Sequence, residues 1–321
     1  MEDEDPSRPS LRKTADAGQP LIVPWMRKQV TLGTAFQSSL MSSEREPWVS
    51  QSPFDVKHPA ANFMIYEGEV DGKAAFKDAE STSHSTELSH CSGSLGVTVG
   101  CPFLSANVTG TYDKTILESK DSNKVSKTCF FRAGCVRFAK EPSLSAEARS
   151  LLRSPNGEQK FRTTFGDYYV AGYILGGDTG VYVSVSQSSR DTKTSTSITV
   201  TVKVLFFSKS WTETSTETTH DERLECVFCG YDTMSASQKA DTAKNKGEYA
   251  NMRALTQEYL GYVEQLPRRV MQELKILGIA KHEQLSYTDC GKICDSGLVV
   301  QLMLMPFSCS RDYKTALLES M

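Results

Sequence analysis

The side chains whose types and spacings bear on chemistry are cysteines, histidines and a few acids. Nine cysteines occur in 321 residues, four of them in two spaced pairs, Cys226-Val-Phe-Cys229 and Cys290-Gly-Lys-Ile-Cys294. A structural zinc site joins a Cys-x-x-Cys to a second ligand pair in a tetrahedron of thiolates. Here residues 230–289 separate the pairs and the second pair has a three-residue gap, a poor match. The expectation is therefore ordinary buried thiols, with no metal and no cofactor. An odd cysteine count, in a chain long enough to bury a core without covalent staples, also removes the need for a disulfide framework. His58, His84, His90, His220 and His282 form no His-Glu-x-x-His pair. Neither a Gly-x-Ser-x-Gly elbow nor a phosphate-binding glycine loop occurs, so common hydrolase, NTPase and dinucleotide chemistries have no support.

Bulk properties narrow the partners. A formal net charge of −3 and a pI near 6.0 argue against nucleic acid, whose phosphates need a basic field. Mean hydropathy is −0.37, and no run approaches the ~18–20 apolar residues of a membrane-spanning helix. The first twenty residues, MEDEDPSRPSLRKTADAGQP, read as an acidic tail without the apolar core of a secretory leader. The expected location is thus cytoplasmic, with membrane association left open. The domain division expected is a disordered tail over 1–20, one domain over 21–310 and a C-terminal tail over 311–321.

The elements that must position any site follow from periodicity. Val30 to Ser38 reads as a first strand, and 39–93 as loops with short elements. Leu95 to Val108 alternates as β, interrupted at Gly100-Cys101-Pro102, and Ser126 to Phe138 reads as another strand. SAEARSLLRS, capped by Ser143 or Ser145, reads as a short helix ended by Pro155-Asn156-Gly157. Val181, Val183 and Val185 alternate with polar or aromatic residues. After a polar turn at 188–192, so do Ile198, Val200, Val202 and Val204, which predicts a long β-hairpin. Met252, Leu255, Tyr259, Val263, Leu266, Val270 and Leu274 recur at helical spacing, with a break or kink expected at Pro267. Gly297 to Phe307 is almost continuously apolar, as a strand buried on both faces would be. Long antiparallel strands with helices on one side make this an α+β chain.

From Phe165 the sequence reads FGDYYVAGYILGG. This resembles the signature of the membrane attack complex/perforin (MACPF) family, in which an aromatic residue, Gly, a hydroxyl residue, His and a second aromatic precede six residues and Gly-Gly. Phe165, Gly166, Tyr169, Gly176 and Gly177 keep that frame; Asp167 stands in place of the hydroxyl and Tyr168 in place of the histidine. The resemblance extends over roughly 95–308, is strongest over 140–208, and is similar in style to short fungal members. It implies a bent, twisted, four-stranded antiparallel sheet flanked by helical clusters. In pore-forming members those clusters unravel into membrane-spanning hairpins within a ring of subunits. Gly172, Gly176, Gly177 and Gly180 are the candidate bend or hinge, though they would equally relieve crowding where a helix crosses the strand.

Two function classes follow. The family default is a self-associating protein that binds membrane lipid and forms pores. Against it, residues 239–279 carry charge on any face they could present to lipid, and Lys193, Lys203 and Lys209 interrupt the better-alternating 192–219 stretch. The alternative is a repurposed intracellular scaffold that binds or converts a hydrophobic small molecule in fungal secondary metabolism, for example as a terpenoid or polyketide cyclase or a pericyclase. Its expected apolar pocket would be lined by Tyr173, Phe206, Phe207 and Trp211, with Asp167 and Asp178 as the available acids. No catalytic residue is assignable from the sequence.

Overall fold

The computed structural model describes residues 11–25, 29–41, 45–55, 64–68, 75–80, 125–185, 226–235, 241–244, 249–279 and 284–319. One antiparallel sheet runs through them, built on two long strands, β6 (Val125–Phe138) and β7 (Tyr168–Val185). Towards one end, β7 lies between β6 and β11 (Val299–Pro306), with β1 (Leu21–Pro24) outside β11. On that same end β4 (Met64–Gly68) pairs with β6, and β10 (Gln284–Leu285) with β4. Towards the other end the order becomes β5 (Ala75–Glu80), β6, β7, β8 (Cys226–Asp232) and β9 (Asp241–Lys244). The short strands β2 (Ala35–Phe36) and β3 (Trp48–Val49) add to the start of β7.

Helices cover the sheet where its residues are apolar. The first, α1 (Leu11–Asp16), buries Ala15. A second helix, α2 (Ala146–Leu152), starts at Ser145, whose hydroxyl accepts from the Ala148 N–H as an N-cap. The Pro155-Asn156-Gly157 turn does not end the helical region: Asn156 takes a left-handed conformation and α3 (Gly157–Phe165) follows at once. The longest helix, α4 (Tyr249–Ile276), runs through Pro267 without a break, and buries Met252, Tyr259, Val263, Leu266, Val270 and Leu274. Next, α5 (Tyr287–Ser296) opens on a Ser286–Asp289 capping box. Finally α6 (Arg311–Leu318) packs Tyr313 and Ala316 into the core.

Several expectations change here. The expected tails are ordered where described, because α1 and α6 each carry buried residues to dock. The expected 30–38 strand is reduced to Ala35–Phe36, with the edge strand lying earlier, at Leu21–Pro24. Strand β11 alternates buried and half-buried residues rather than being buried on both faces: Gln301, Met303 and Met305 point to the less covered side. Over Val181–Val183, β7 pairs with β6 on one edge and with β8 on the other, so the expected hairpin partner does not lie beside these residues. The remainder of that expected hairpin, and the 95–108 strand, lie outside the described residues.

Backbone proximity at Gly176 is severe. A Cβ there would stand 2.0 Å from the Phe131 carbonyl oxygen. Gly176→Ala should therefore cost about 1–3 kcal/mol, the range for forcing atoms into a packed site. Gly261, inside α4 with open space around its Cα, should gain roughly 0.5–1 kcal/mol as Ala. Urea unfolding of the two variants is expected to move the midpoint in opposite directions.

Candidate functional site

The signature opens at the junction of α3 and β7, where each residue is fixed by a different neighbour. Gly166 has φ of +79°, and a Cβ would lie 2.4 Å from the Phe36 carbonyl oxygen, so both dihedral and space select glycine. Asp167 accepts from the Ser38 backbone N–H at 2.7 Å, from the Ser38 hydroxyl at 2.5 Å, and from Arg162 at 3.1 Å. The Tyr168 hydroxyl donates towards the carbonyls of Gln19 at 2.9 Å and Ala15 at 3.2 Å, tying α1 to the sheet. Burial, then the neighbouring Asp167 charge, pushes its ionisation up to about 12. Phe165 and Tyr169 enter an aromatic cluster: Phe165 meets Phe161 at 5.0 Å, and Tyr169 meets Phe54 at 4.9 Å and Phe307 at 5.2 Å.

The far end of the signature lies where β7 changes partner. Val299 of β11 pairs with Leu175, the Gly176 N–H donates to Leu298, and Asp232 of β8 takes over at Thr179. Opposite, β6 carries a bulge between Arg132 and Gly134, paired with Gly176 and Leu175. A bulge adds a residue on one strand only, bending it and raising its twist. A Cβ on Gly177 would lie 2.7 Å from Leu266 and 3.0 Å from Val270, so α4 rests directly on this point. Gly172 faces the Val136 carbonyl and Gly180 the Tyr231 ring in the same close manner. These four glycines thus hold close contacts with strands or a helix.

Two ion pairs secure the partner change. Asp178, 3% exposed, receives both terminal nitrogens of Arg132, and its backbone exchanges hydrogen bonds with Thr233, 2.9 Å each way. Arg269 of α4 reaches Asp232 through two bonds of 3.1 and 2.7 Å, and lies 4.9 Å over the Tyr262 ring. The Asp232 side chain is 1% exposed, so Arg269 is the charge that compensates it inside the protein. Sequence reasoning named Asp178 only as an available acid and did not find Asp232, Arg132 or Arg269. Nothing in their local sequence marks them, because Arg132 and Arg269 lie 46 and 37 residues from the acids they meet.

Other expected site residues are placed differently. Tyr173 is fully buried, with its hydroxyl donating to the Val30 carbonyl, and burial drives its ionisation upward; it closes into the core rather than lining an apolar pocket. Phe206, Phe207 and Trp211 lie outside the described residues. Cys290 and Cys294 are buried on one face of α5, while Cys226 and Cys229 belong to β8. Among the described residues no group of three or more His, Cys, Asp or Glu is placed to hold a metal ion. Nor does any described helix have the length and apolarity to cross a membrane.

No protein-family model matches the chain, and no curated protein matches it. It is similar in fold to solved structures. GNIP1Aa from Chromobacterium piscinae is 13% identical, over 94% of this chain and 56% of that one, with a TM-score of 0.35. The cytotoxin suilysin from Streptococcus suis is 8% identical, over 91% of this chain and 62% of that one, at 0.38. A protein with a MAC/Perforin domain from Bacteroides thetaiotaomicron is 11% identical, over 92% and 61%, at 0.28. The chain therefore spans just over half to about three fifths of the length of these proteins.

Two outcomes test this geometry. Arg269→Ala should lower stability by about 3 kcal/mol, because it strands a buried carboxylate. The double variant Asp232→Ala/Arg269→Ala should recover part of that loss, which a double-mutant cycle in urea measures. In mildly alkaline buffer, exposed Cys309 should react with a thiol reagent far faster than Cys290, whose thiol burial pushes up to about 12, or Cys294, raised likewise. Peptide mapping after brief alkylation reads that order.

Proposed function

We propose that this chain is a MACPF-like protein that self-associates on a membrane and perforates it. The observation that carries the proposal is topological. Glu80 pairs with Val125, Val125 with Val183, and Val185 with Cys226, so four strand ends lie side by side at one end of the sheet. Residues 81–124 and 186–225 both leave and re-enter there. A barrel strand needs ~9–11 residues to cross a bilayer, so each stretch is long enough to supply a pair. At the other end, α2 and α3 link β6 to β7 and the aromatic cluster closes the core. Insertion at one end then leaves the other end intact.

Residue parity answers the objection raised by the lysines. Ile198, Val200, Val202 and Val204 are even-numbered, whereas Lys193, Lys203 and Lys209 are odd. In an extended strand these two sets face opposite ways, one to lipid and one to a watery lumen, where a lysine carries no burial cost. Helix α4 supports the reading in another way. Its apolar stripe is spent on the sheet and Arg269 is spent on Asp232, so it serves as a fixed brace rather than an inserting segment.

Vesicles loaded with a self-quenched dye test the proposal. Purified protein should release the dye and form rings visible by electron microscopy. An environment-sensitive label on Val200→Cys should report an apolar surrounding on lipid, and one on Thr201→Cys an aqueous one, in a background lacking other accessible thiols. Protein that stays monomeric beside lipid at micromolar concentration, with no release, overturns the proposal.

A further inference from the structure

Glycine at position 261 has no use inside the protein. It stands within α4, where glycine costs about 1 kcal/mol relative to alanine. Its φ is not among the positive ones, and a Cβ built on it would meet nothing within 4 Å. By contrast Gly176, Gly177, Gly180 and Gly230 each have an atom within 2.7 Å of that position. A glycine inside a helix commonly marks the close approach of another surface, and here no described residue supplies one.

The residues in line with Gly261 indicate what approaches. Ala254, Gly261, Arg268 and Lys275 follow one another at seven-residue steps, a line that drifts only slowly around a helix. The line faces away from the sheet: Ala254, Arg268 and Lys275 are exposed, whereas Met252, Val263, Leu266, Val270 and Leu274 are buried. Its first half has small residues flanked by the exposed acids Glu258 and Glu264, and its second half has two long bases. Glu264, its side chain 67% exposed, makes a 3.6 Å surface contact with Lys127, and Glu258 accepts from the Tyr262 hydroxyl. Arg268 and Lys275 have no ion-pair partner among the described residues. Reversed end for end, this face complements itself. With Gly261 opposite Arg268 of a second copy, Ala254 comes opposite Lys275, and the guanidinium lies over open backbone between Glu258 and Glu264.

We propose that the outer face of α4 docks a second copy of this chain, the two helices running antiparallel about a two-fold axis near Glu264 and Gln265. A two-fold contact uses one patch twice, so each pairing of long base with small residue, and of base with acid, occurs twice. Lines of seven-residue spacing bring helices together at a shallow angle, about 20°. Met271 and Ile276, 53% and 67% exposed, flank the line and become partly covered. A single helix pair stands at the small end of specific interfaces, which places the association in roughly the micromolar range. The dimer does not rest on membrane perforation: it forms without lipid, through a helix face rather than the strand ends.

Sedimentation of the full chain in lipid-free buffer, over a range of concentrations, tests the proposal. The wild-type chain should pass from monomer to dimer, and no larger species, as concentration rises. Gly261→Leu fills the open position and should abolish the dimer. Gly261→Ala should weaken it at least about fivefold, as an overfilled contact implies, while raising the thermal midpoint of the monomer. Opposite signs in those two readouts separate an interface from a structural role. Two charge-reversed chains test the antiparallel arrangement. Glu258→Lys/Glu264→Lys alone and Arg268→Glu/Lys275→Glu alone should each stay monomeric, because like charges then face each other, whereas an equal mixture should form the heterodimer. The thermal midpoint shows that each variant is folded. A wild-type chain that stays monomeric at about 100 µM, dimer unchanged in Gly261→Leu, or a mixture that remains monomeric overturns the proposal. Dye release from vesicles bears on perforation alone, so either reading can fail without the other.

Discussion

The constraint on which the structure depends is that one strand must satisfy two edges with three long partners. Strand β7 holds β6 along one side for almost its whole length, but its other side passes from β11 to β8 between Leu175 and Thr179. Backbone groups at such a junction lose regular ladder partners, and buried ones cannot be left unpaired. Here the Gly176 N–H reaches Leu298, and Asp178 and Thr233 exchange bonds across the gap. The bulge at Arg132–Gly134 lies at the same level on the opposite edge. The junction and the bulge therefore share one place, and the Gly-Gly pair is that place.

Close packing at this point explains why charges are buried beside it. With Gly177 pressed on Leu266 and Val270, α4 lies so near the sheet that Asp232 is sealed from solvent by the helix. A sealed carboxylate is stable only with a partner of opposite charge, and Arg269 on the same helix provides it. The apolar contact and the ion pair thus require each other: moving α4 away would expose Leu266 and Val270 and separate the pair together. Such an interface is held in one arrangement, with little tolerance for gradual sliding. The junction is thus a fixed part of the sheet.

Much of the architecture was legible in the sequence because it rests on period. The alternation over 126–138, the serine-capped helix after Pro142 and the helical stripe from Met252 to Leu274 all appear where periodicity put them. What escaped depended on tertiary partners. Leu21–Pro24 is too short to signal itself and becomes a strand because β11 offers it an edge. Arg311–Leu318 reads as a polar tail until Tyr313 finds Phe161. Proline at 267 suggested a break, but packing of α4 on both sides of it outweighs one lost backbone bond. The partner of Val181–Val183 was misjudged because a strand's alternation tells which face is buried, not which strand lies beside it.

The signature itself illustrates the limit of reading function from a motif. Its two departures from the family frame, Asp167 and Tyr168, are the positions where a catalytic or ligand role would be sought first. Both are consumed by architecture. The carboxylate of Asp167 takes up the Ser38 N–H and hydroxyl, so a hydroxyl still stands at this corner, supplied from a different part of the chain. Tyr168 ends on two carbonyls of the N-terminal segment, and its hydroxyl anchors α1 against the sheet. A signature whose Asp167, Tyr168 and Tyr173 side chains are all answered inside the protein marks a joint. It specifies how a helix enters a strand and how that strand changes neighbours. Function lives in sites that a fold carries, and the joint belongs to the fold.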